Sequence, residues 1–223
     1  MSALAVEAPD GAGFSYRGAA LSLREFRPGD AADIQALHAD ARVRALLPDA
    51  QPLHEARWAQ TFATCLGDFY RRHPGLGIWR CAVPHAGGER FAGWFSLMPV
   101  QASPGPSLPG MAPGDAELGS RLLPEHWGSG LSPSGGEVLL DHAFLTLGLR
   151  RVWGICHPHN RAAQGCLQML GFTPQGRALY EGQPADHHAL DAATWLRLRT
   201  LGRRQRLRAQ RSALPPTSHP GTP

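Results

Sequence analysis

The spacing of apolar and polar residues changes several times along the chain, and each change marks a different element. Leu21 to Phe26 alternates apolar with polar residues and predicts a short strand, stopped by Pro28 and Gly29. Asp30 to Asp40 places Ile34, Leu37 and His38 at helical spacing. A second helix is expected from about Pro52 to Arg72, with a stripe of Trp58, Phe62, Cys65, Leu66 and Phe69. Two strands follow, Gly77 to Val83 and Arg90 to Met98, joined by a turn at Gly87 and Gly88. Gln101 to Gly114 is crowded with Pro and Gly and predicts a loop. Beyond it lie a strand, Asp115 to Leu123, and a strong helix with Ser132 as N-cap and Pro133 at its first position. Leu140, Ala143, Phe144 and Leu147 share one face of that helix and Gly148 ends it. Arg151 to Cys156 reads as another strand. Asn160 can cap a short helix that buries Ala163, Leu167 and Leu170 and stops at Gly171, and two last strands are expected at Phe172 to Tyr180 and His187 to Leu198.

This order of elements, in 223 residues, predicts one mixed α+β domain. The domain is expected over residues 19–198, between a disordered N-terminus at 1–18 and a basic, Pro-rich flexible tail at 199–223. No apolar run reaches the length of a membrane span, and the first residues lack the order of an export signal, so a cytoplasmic protein is expected. Cys65, Cys81, Cys156 and Cys166 have no paired short spacing and read as reduced thiols.

Charge changes the picture once it is divided along the chain. Residues 196–223 hold seven arginines and no acid, while the other fifteen arginines face eighteen acids and leave −3. The net +4 therefore belongs to the tail and says little about the partner of the folded body.

The chemistry sits between Glu117 and Gly148. Gly128 and Gly130 let the backbone turn tightly with its amides uncovered, and the helix that follows aims its unpaired N–H groups and positive dipole end at the same place. A diphosphate fits there. A Gly-x-Gly alone is also compatible with an ordinary tight turn, so the downstream order matters: a strand, Asn160 at a helix start, and Leu170-Gly171-Phe172 at that helix's end.

Together these features resemble the GNAT superfamily of N-acyltransferases, and within it the branch that includes the ribosomal-protein alanine acetyltransferases. Pro124, Glu125, Trp127, Gly128 and Gly130 match the branch's phosphate loop, and Asn160 with Leu170-Gly171-Phe172 matches its later signature. The resemblance covers about Leu21 to Leu198. It implies a mostly antiparallel mixed sheet of about seven strands, the fourth and fifth splayed apart, flanked by about four helices. It also implies acetyl-CoA as cosubstrate and transfer of its acetyl group to a primary amine, a protein N-terminal amine among the options. The sequence departs from the family at three points. Glu125 stands where many relatives carry Gln or Arg, Leu131 to Ser134 replace the usual residues after the second glycine, and Ala163 and Leu167 occupy positions where relatives place a Ser or Tyr proton donor.

By this resemblance the pantetheine arm lies between the two splayed strands, and a backbone N–H near Leu118 or Gly119 polarises the acetyl carbonyl. Glu117 is the candidate base, acting through water, or else a solvated strand acid. Gly128, Ser129, Gly130, Leu131, Ser132 and Ser134 would hold the diphosphate through their amides. Asn160 caps its helix, contacts pantetheine, or does both. Arg161 meets a cofactor phosphate or is a surface arginine, and Tyr180 is a proton donor or a packing residue. Cys156, His157 and His159 are too tightly spaced, with Pro158 between them, to converge on one metal ion, and no metal is expected. His187 and His188 read as an exposed strand pair before Asp191. Other readings stay open: an acyl-CoA-binding regulatory module without catalysis, a small-molecule amine acetyltransferase, and a tail that contacts nucleic acid or the ribosome. Either a monomer or a homodimer is compatible with the sequence.

Overall fold

A computed structural model describes residues 13–46, 56–100, 108–180 and 182–213. They form an eight-stranded sheet in the order β1-β2-β3-β4-β5-β6-β8-β7. In chain order the strands are β1 (Tyr16–Arg17), β2 (Ser22–Glu25), β3 (Gly77–His85), β4 (Gly88–Pro99), β5 (Ala116–Leu122), β6 (Arg151–Cys156), β7 (Thr173–Tyr180) and β8 (Gln183–Asp191). All neighbouring pairs are antiparallel except β5 and β6. The strand beyond the expected seven is β1, which pairs with β2 inside the stretch read as a disordered end. Phe14 beside it is buried against Trp79 and His142.

Two layers of helix cover the sheet. On one face α1 (Ala31–Ala39) and α3 (Ala56–Arg72) pack Ile34, Leu37, Ala63, Leu66 and Tyr70 against Phe26, Ile78, Phe91 and Trp94, and the single turn α2 (Ala41–Arg44) follows α1. The buried stripe of α3 is Ala59, Ala63, Leu66 and Tyr70, not the larger set read from sequence: Cys65 is exposed, Phe62 and Phe69 are half-buried, and the Trp58 side chain lies outside the described residues. Small residues turn inward because α3 lies close over the sheet, and Tyr70 reaches through to donate to Ile78 O and accept from Phe26 N. On the other face α4 (Leu131–Asp141) and α5 (Arg161–Leu170) cover Phe95, Leu97, Leu118, Leu122 and Val152 with Leu139, Leu140, Leu167 and Leu170.

Two expected boundaries move. The helix after the Gly-x-Gly turn starts at Leu131 with Gly130 at the cap position, φ +82°, so Ser132 sits in the first turn and is not the N-cap. Beyond Asp141 its last turns widen into a π-helical stretch, His142–Thr146. The final strand ends at Asp191, whose carboxylate accepts from Thr194 N and opens α6 (Ala192–Leu198). Part of the region expected to be a flexible tail forms α7 (Arg203–Ala213), which packs against α5. Asp141 receives the Trp195 indole N–H at 2.8 Å and the Arg199 guanidinium at 2.8 and 3.0 Å. Glu137 receives both Arg203 and Arg206, and Arg206 is buried, its guanidinium 5.1 Å over the Trp195 ring.

The strand that leads toward the site depends on a glycine. Gly93 in β4 has φ +137°, and a Cβ there would stand 2.2 Å from Arg121 O and 2.7 Å from Leu122 Cα. A side chain meets backbone on β5, so β4 and β5 cannot keep their register around it. Gly93→Ala is expected to destabilise the fold by roughly 3 kcal/mol, the strain and overpacking together, measured as a shift of the urea midpoint at unchanged slope.

Candidate active site

β5 and β6 pair only at Ala116–Val152 and Glu117–Trp153. Past those two pairs they diverge, leaving Leu118–Leu122 and Gly154–Cys156 without a strand partner across the gap, as expected for the fourth and fifth strands of the sequence reading. Unpaired strand edges inside a fold must find other hydrogen-bond partners, so the gap is built to take an extended polar chain. A cleft of about 510 Å³ runs through it, within the range of small-molecule sites. Strand alternation divides its two mouths. Leu118 and Ser120 face α4, whereas Glu117, Gly119 and Arg121 face the side of α1 and α3, opposite Met98, Ser96 and Trp94 of β4.

The α4 mouth carries the turn. Trp127, half exposed, pins it by donating its indole N–H to Leu122 O at 2.9 Å. Gly128 and Gly130 have φ of +71° and +82°, which glycine adopts without strain. Among the described residues the amides of Gly128, Ser129, Gly130 and Ser132 donate to no protein group. Two of the six expected donors are already engaged: Leu131 N reaches Ser129 Oγ at 3.3 Å, and Ser134 N makes the first helical bond, to Gly130 O at 3.2 Å. The four open amides and the start of α4 form a cradle suited to a diphosphate. Ser132 lines the cleft itself, its hydroxyl 3.4 Å from Ser120 Oγ and 3.3 Å from Cys166 Sγ.

Of the other residues singled out from sequence, Glu117, Leu118, Gly119, Asn160 and Tyr180 all line this cleft. Asn160 caps α5, its Oδ1 accepting from Ala163 N at 3.1 Å, which is the expected local role. Arg161 does not face the cleft. It bonds Gln164 at 3.3 Å and borders a separate groove with Arg177 and His188. Tyr180 and Glu117 meet: the phenol donates to Glu117 Oε2 at 3.1 Å, joining β7 to β5 across the opening. Sequence separation hid this pair, because β7 reaches the site only through its hairpin with β8.

His187 and His188 are buried, not exposed. His187 lies with its ring 6.0 Å from Trp153, and burial pushes the His188 imidazole below its usual range. Burial also lifts the Cys156 thiol to about 11 and raises Cys166, so at neutral pH both cleft cysteines are protonated and unsuited to nucleophilic attack. His157 and His159 stack edge to face at 5.1 Å, and the described residues contain no group of three or more His, Cys, Asp or Glu placed to hold a metal. No described helix is long and apolar enough to cross a membrane.

Two features of the site went unread in the sequence. Arg121, on the Glu117 face of β5, lays its guanidinium 5.1 Å over the Trp94 ring. The signal was present, since Glu117 and Arg121 are four apart on a strand and must share a face. Arg203 stands beside the turn, its Nη1 3.5 Å from where a Gly130 Cβ would be, and nothing local could have placed it there.

The chain is 34% identical over 100 residues to the FsC-acetyl coenzyme A-N(2)-transacetylase of Aspergillus fumigatus, covering 45% of this chain and 40% of that protein. It thus spans well under half the length of that curated relative. Its fold is like that of the ribosomal-protein-S5-alanine acetyltransferase from Vibrio fischeri, with TM-score 0.64 and 18% identity over 81% of this chain and 98% of the other. It is also like the spermidine N-acetyltransferase from Vibrio cholerae in complex with CoA and spermine, with TM-score 0.60 and 17% identity over 80% and 99%. At such identities the two structures speak for the fold alone. The sequence profile of the acetyltransferase (GNAT) domain matches residues 20–173, well over half the chain, and the protein therefore belongs to the GNAT acetyltransferase family.

Proposed function

We propose that the protein is an acetyl-CoA-dependent N-acetyltransferase acting on a primary amine. The observation that carries this reading is the Tyr180–Glu117 hydrogen bond between two residues that line the cleft, beside the strand gap. A module that only bound acyl-CoA would need the cradle and the gap but would have no use for an acid and a phenol paired there.

In this reading the amides of Gly128, Ser129, Gly130 and Ser132 hold the diphosphate, and the edges of β5 and β6 bond the pantetheine amides, with Asn160 beside them. A backbone N–H at Leu118 or Gly119 polarises the thioester carbonyl. The acceptor enters from the α1 and α3 side. Glu117, through water, takes a proton from the incoming ammonium, so that the amine lone pair can form the new C–N bond. The C–S bond breaks, the sulfur leaves with the electron pair, and Tyr180 supplies its proton. Glu117, adjacent by hydrogen bond, returns one to the phenolate. The ammonium sheds two protons in all, of which one ends on sulfur and one in solvent.

Tyr180→Phe keeps the ring and removes the proton. It is expected to lower kcat by about 10- to 100-fold with little change in KM for acetyl-CoA, read by thiol release. An unchanged kcat would assign Tyr180 to packing and leave the leaving sulfur to water.

The finer acceptor reading is a protein N-terminal amine, supported by the turn residues Pro124, Glu125 and Trp127. Initial rates of thiol release with N-terminal peptides, polyamines and aminoglycosides test it; a preference for either small-molecule class would replace it. A cytosolic setting fits the four unpaired cysteines.

A further inference from the structure

We propose that Arg203, on the C-terminal helix α7, is a ligand of the cofactor's diphosphate and supplies the positive charge that the turn itself lacks. The inference rests on the acetyl-CoA reading above.

Between Leu123 and Ser134 the chain has no arginine or lysine, and its Glu125 is acidic and already paired with Arg90 at 2.8 Å. Open amides and a helix start offer only partial charges to a ligand that carries at least two full negative ones. Arg203 is positioned to fill that deficit. Its Nε and Nη2 grip Glu137 at 3.1 and 3.0 Å, and Nη2 also donates to Ser134 Oγ at 2.8 Å. Ser134 Oγ in turn donates to Gly130 O at 2.9 Å, so the guanidinium is tied directly to the turn. The remaining nitrogen, Nη1, makes no hydrogen bond within the described residues and points to Gly130, 3.5 Å from the place of the absent Cβ.

The charge balance also favours an anion. Glu137 is shared by two guanidiniums, because Arg206 donates to its Oε1 at 2.8 Å, so this cluster holds two cations and one carboxylate. Arg206 is buried and fixed by Leu198 O and the Trp195 ring, which makes it the structural member of the pair. Arg203, about a third exposed, keeps one face toward solvent at the turn. Guanidinium matches phosphate oxygens in geometry, and its orientation here is set before any ligand arrives.

Calorimetric titration of the full chain with coenzyme A and with dephospho-coenzyme A tests this, using the wild type, Arg203→Gln, Arg203→Lys and Glu137→Gln, each checked by thermal melting. Arg203→Gln should weaken both ligands by the same factor, about 10- to 50-fold, as expected for a lost charge-assisted hydrogen bond. Its affinity should also depend less on salt. Arg203→Lys should recover part of the loss. Glu137→Gln removes the competing carboxylate charge, while the amide oxygen and Ser134 Oγ still accept from the guanidinium and keep it in place, so it should bind at least as tightly as wild type. Wild-type affinity in Arg203→Gln would overturn the proposal. So would a loss confined to coenzyme A, which would place the side chain at the 3′-phosphate, or an equal loss in Glu137→Gln, which would reduce Arg203 to support for α7. A folded wild type that binds neither ligand would take down the acetyl-CoA reading itself.

Discussion

Glu117→Gln is expected to lower kcat by about 10²- to 10³-fold while leaving the KM for acetyl-CoA nearly unchanged, the size of effect typical of a removed general base. Glutamine conserves the volume and can still accept the Tyr180 hydrogen bond through its amide oxygen, so the cleft should keep its shape. What disappears is the carboxylate's ability to take a proton. Two readouts separate this from simple damage. Binding of coenzyme A should stay at the wild-type level, because the cradle lies at the opposite mouth of the cleft. Raising the pH should bring the variant's rate toward that of the wild type, since an amine already neutral in solution needs no base. If kcat does not change, Glu117 is a strand acid lining the opening, and the amine loses its proton to water.

Gly130→Asp should weaken coenzyme A by at least about 10²-fold, enough that binding is lost at ordinary cofactor concentrations. Three effects add. The cap position has φ +82°, where an L side chain costs about 1–2 kcal/mol. The new Cβ lies on the side where the diphosphate would rest, and its carboxylate repels that anion. It would also sit within reach of Arg203 Nη1 and neutralise it. Gly130→Asn isolates the charge, because asparagine tolerates the left-handed region and is neutral; it should lose no more than about tenfold. Adding Arg203→Gln to Gly130→Asp should cost little further, since the first change has already cancelled that guanidinium. Retained affinity in Gly130→Asp, measured by calorimetry, would remove the turn from the cofactor site.

Much of the site could be read from local patterns. The Gly-x-Gly turn, the Asn160 cap and the Gly171 stop depend on residues within a few positions of each other, and they hold in the structure: Asn160 Oδ1 meets Ala163 N, and Gly171 closes α5 with φ +105°. The helix of the turn starts two positions earlier than expected because two N-terminal signals compete. Ser132 before Pro133 looked like a cap, but Gly130 can hold the left-handed conformation at that point and Ser132 need not. The expected last strand runs past Asp191 because Ala192 to Leu198 stays mostly apolar, and the Asp191 cap that breaks it is a single residue.

What the amino-acid order determined by itself was the succession of elements and the Gly-rich turn with its helix, because periodicity, capping and turn chemistry act over three to seven residues. Tertiary structure alone decided where distant segments meet. The gap between β5 and β6 exists because their pairing stops after Glu117 and Trp153, Tyr180 reaches Glu117 through the β7–β8 hairpin, and Arg203 reaches Gly130 through its grip on Glu137. Such meetings are set by packing across the sheet and by partners tens of residues away, as with Tyr180 and Glu117 at a separation of 63, and a window along the chain carries no record of them.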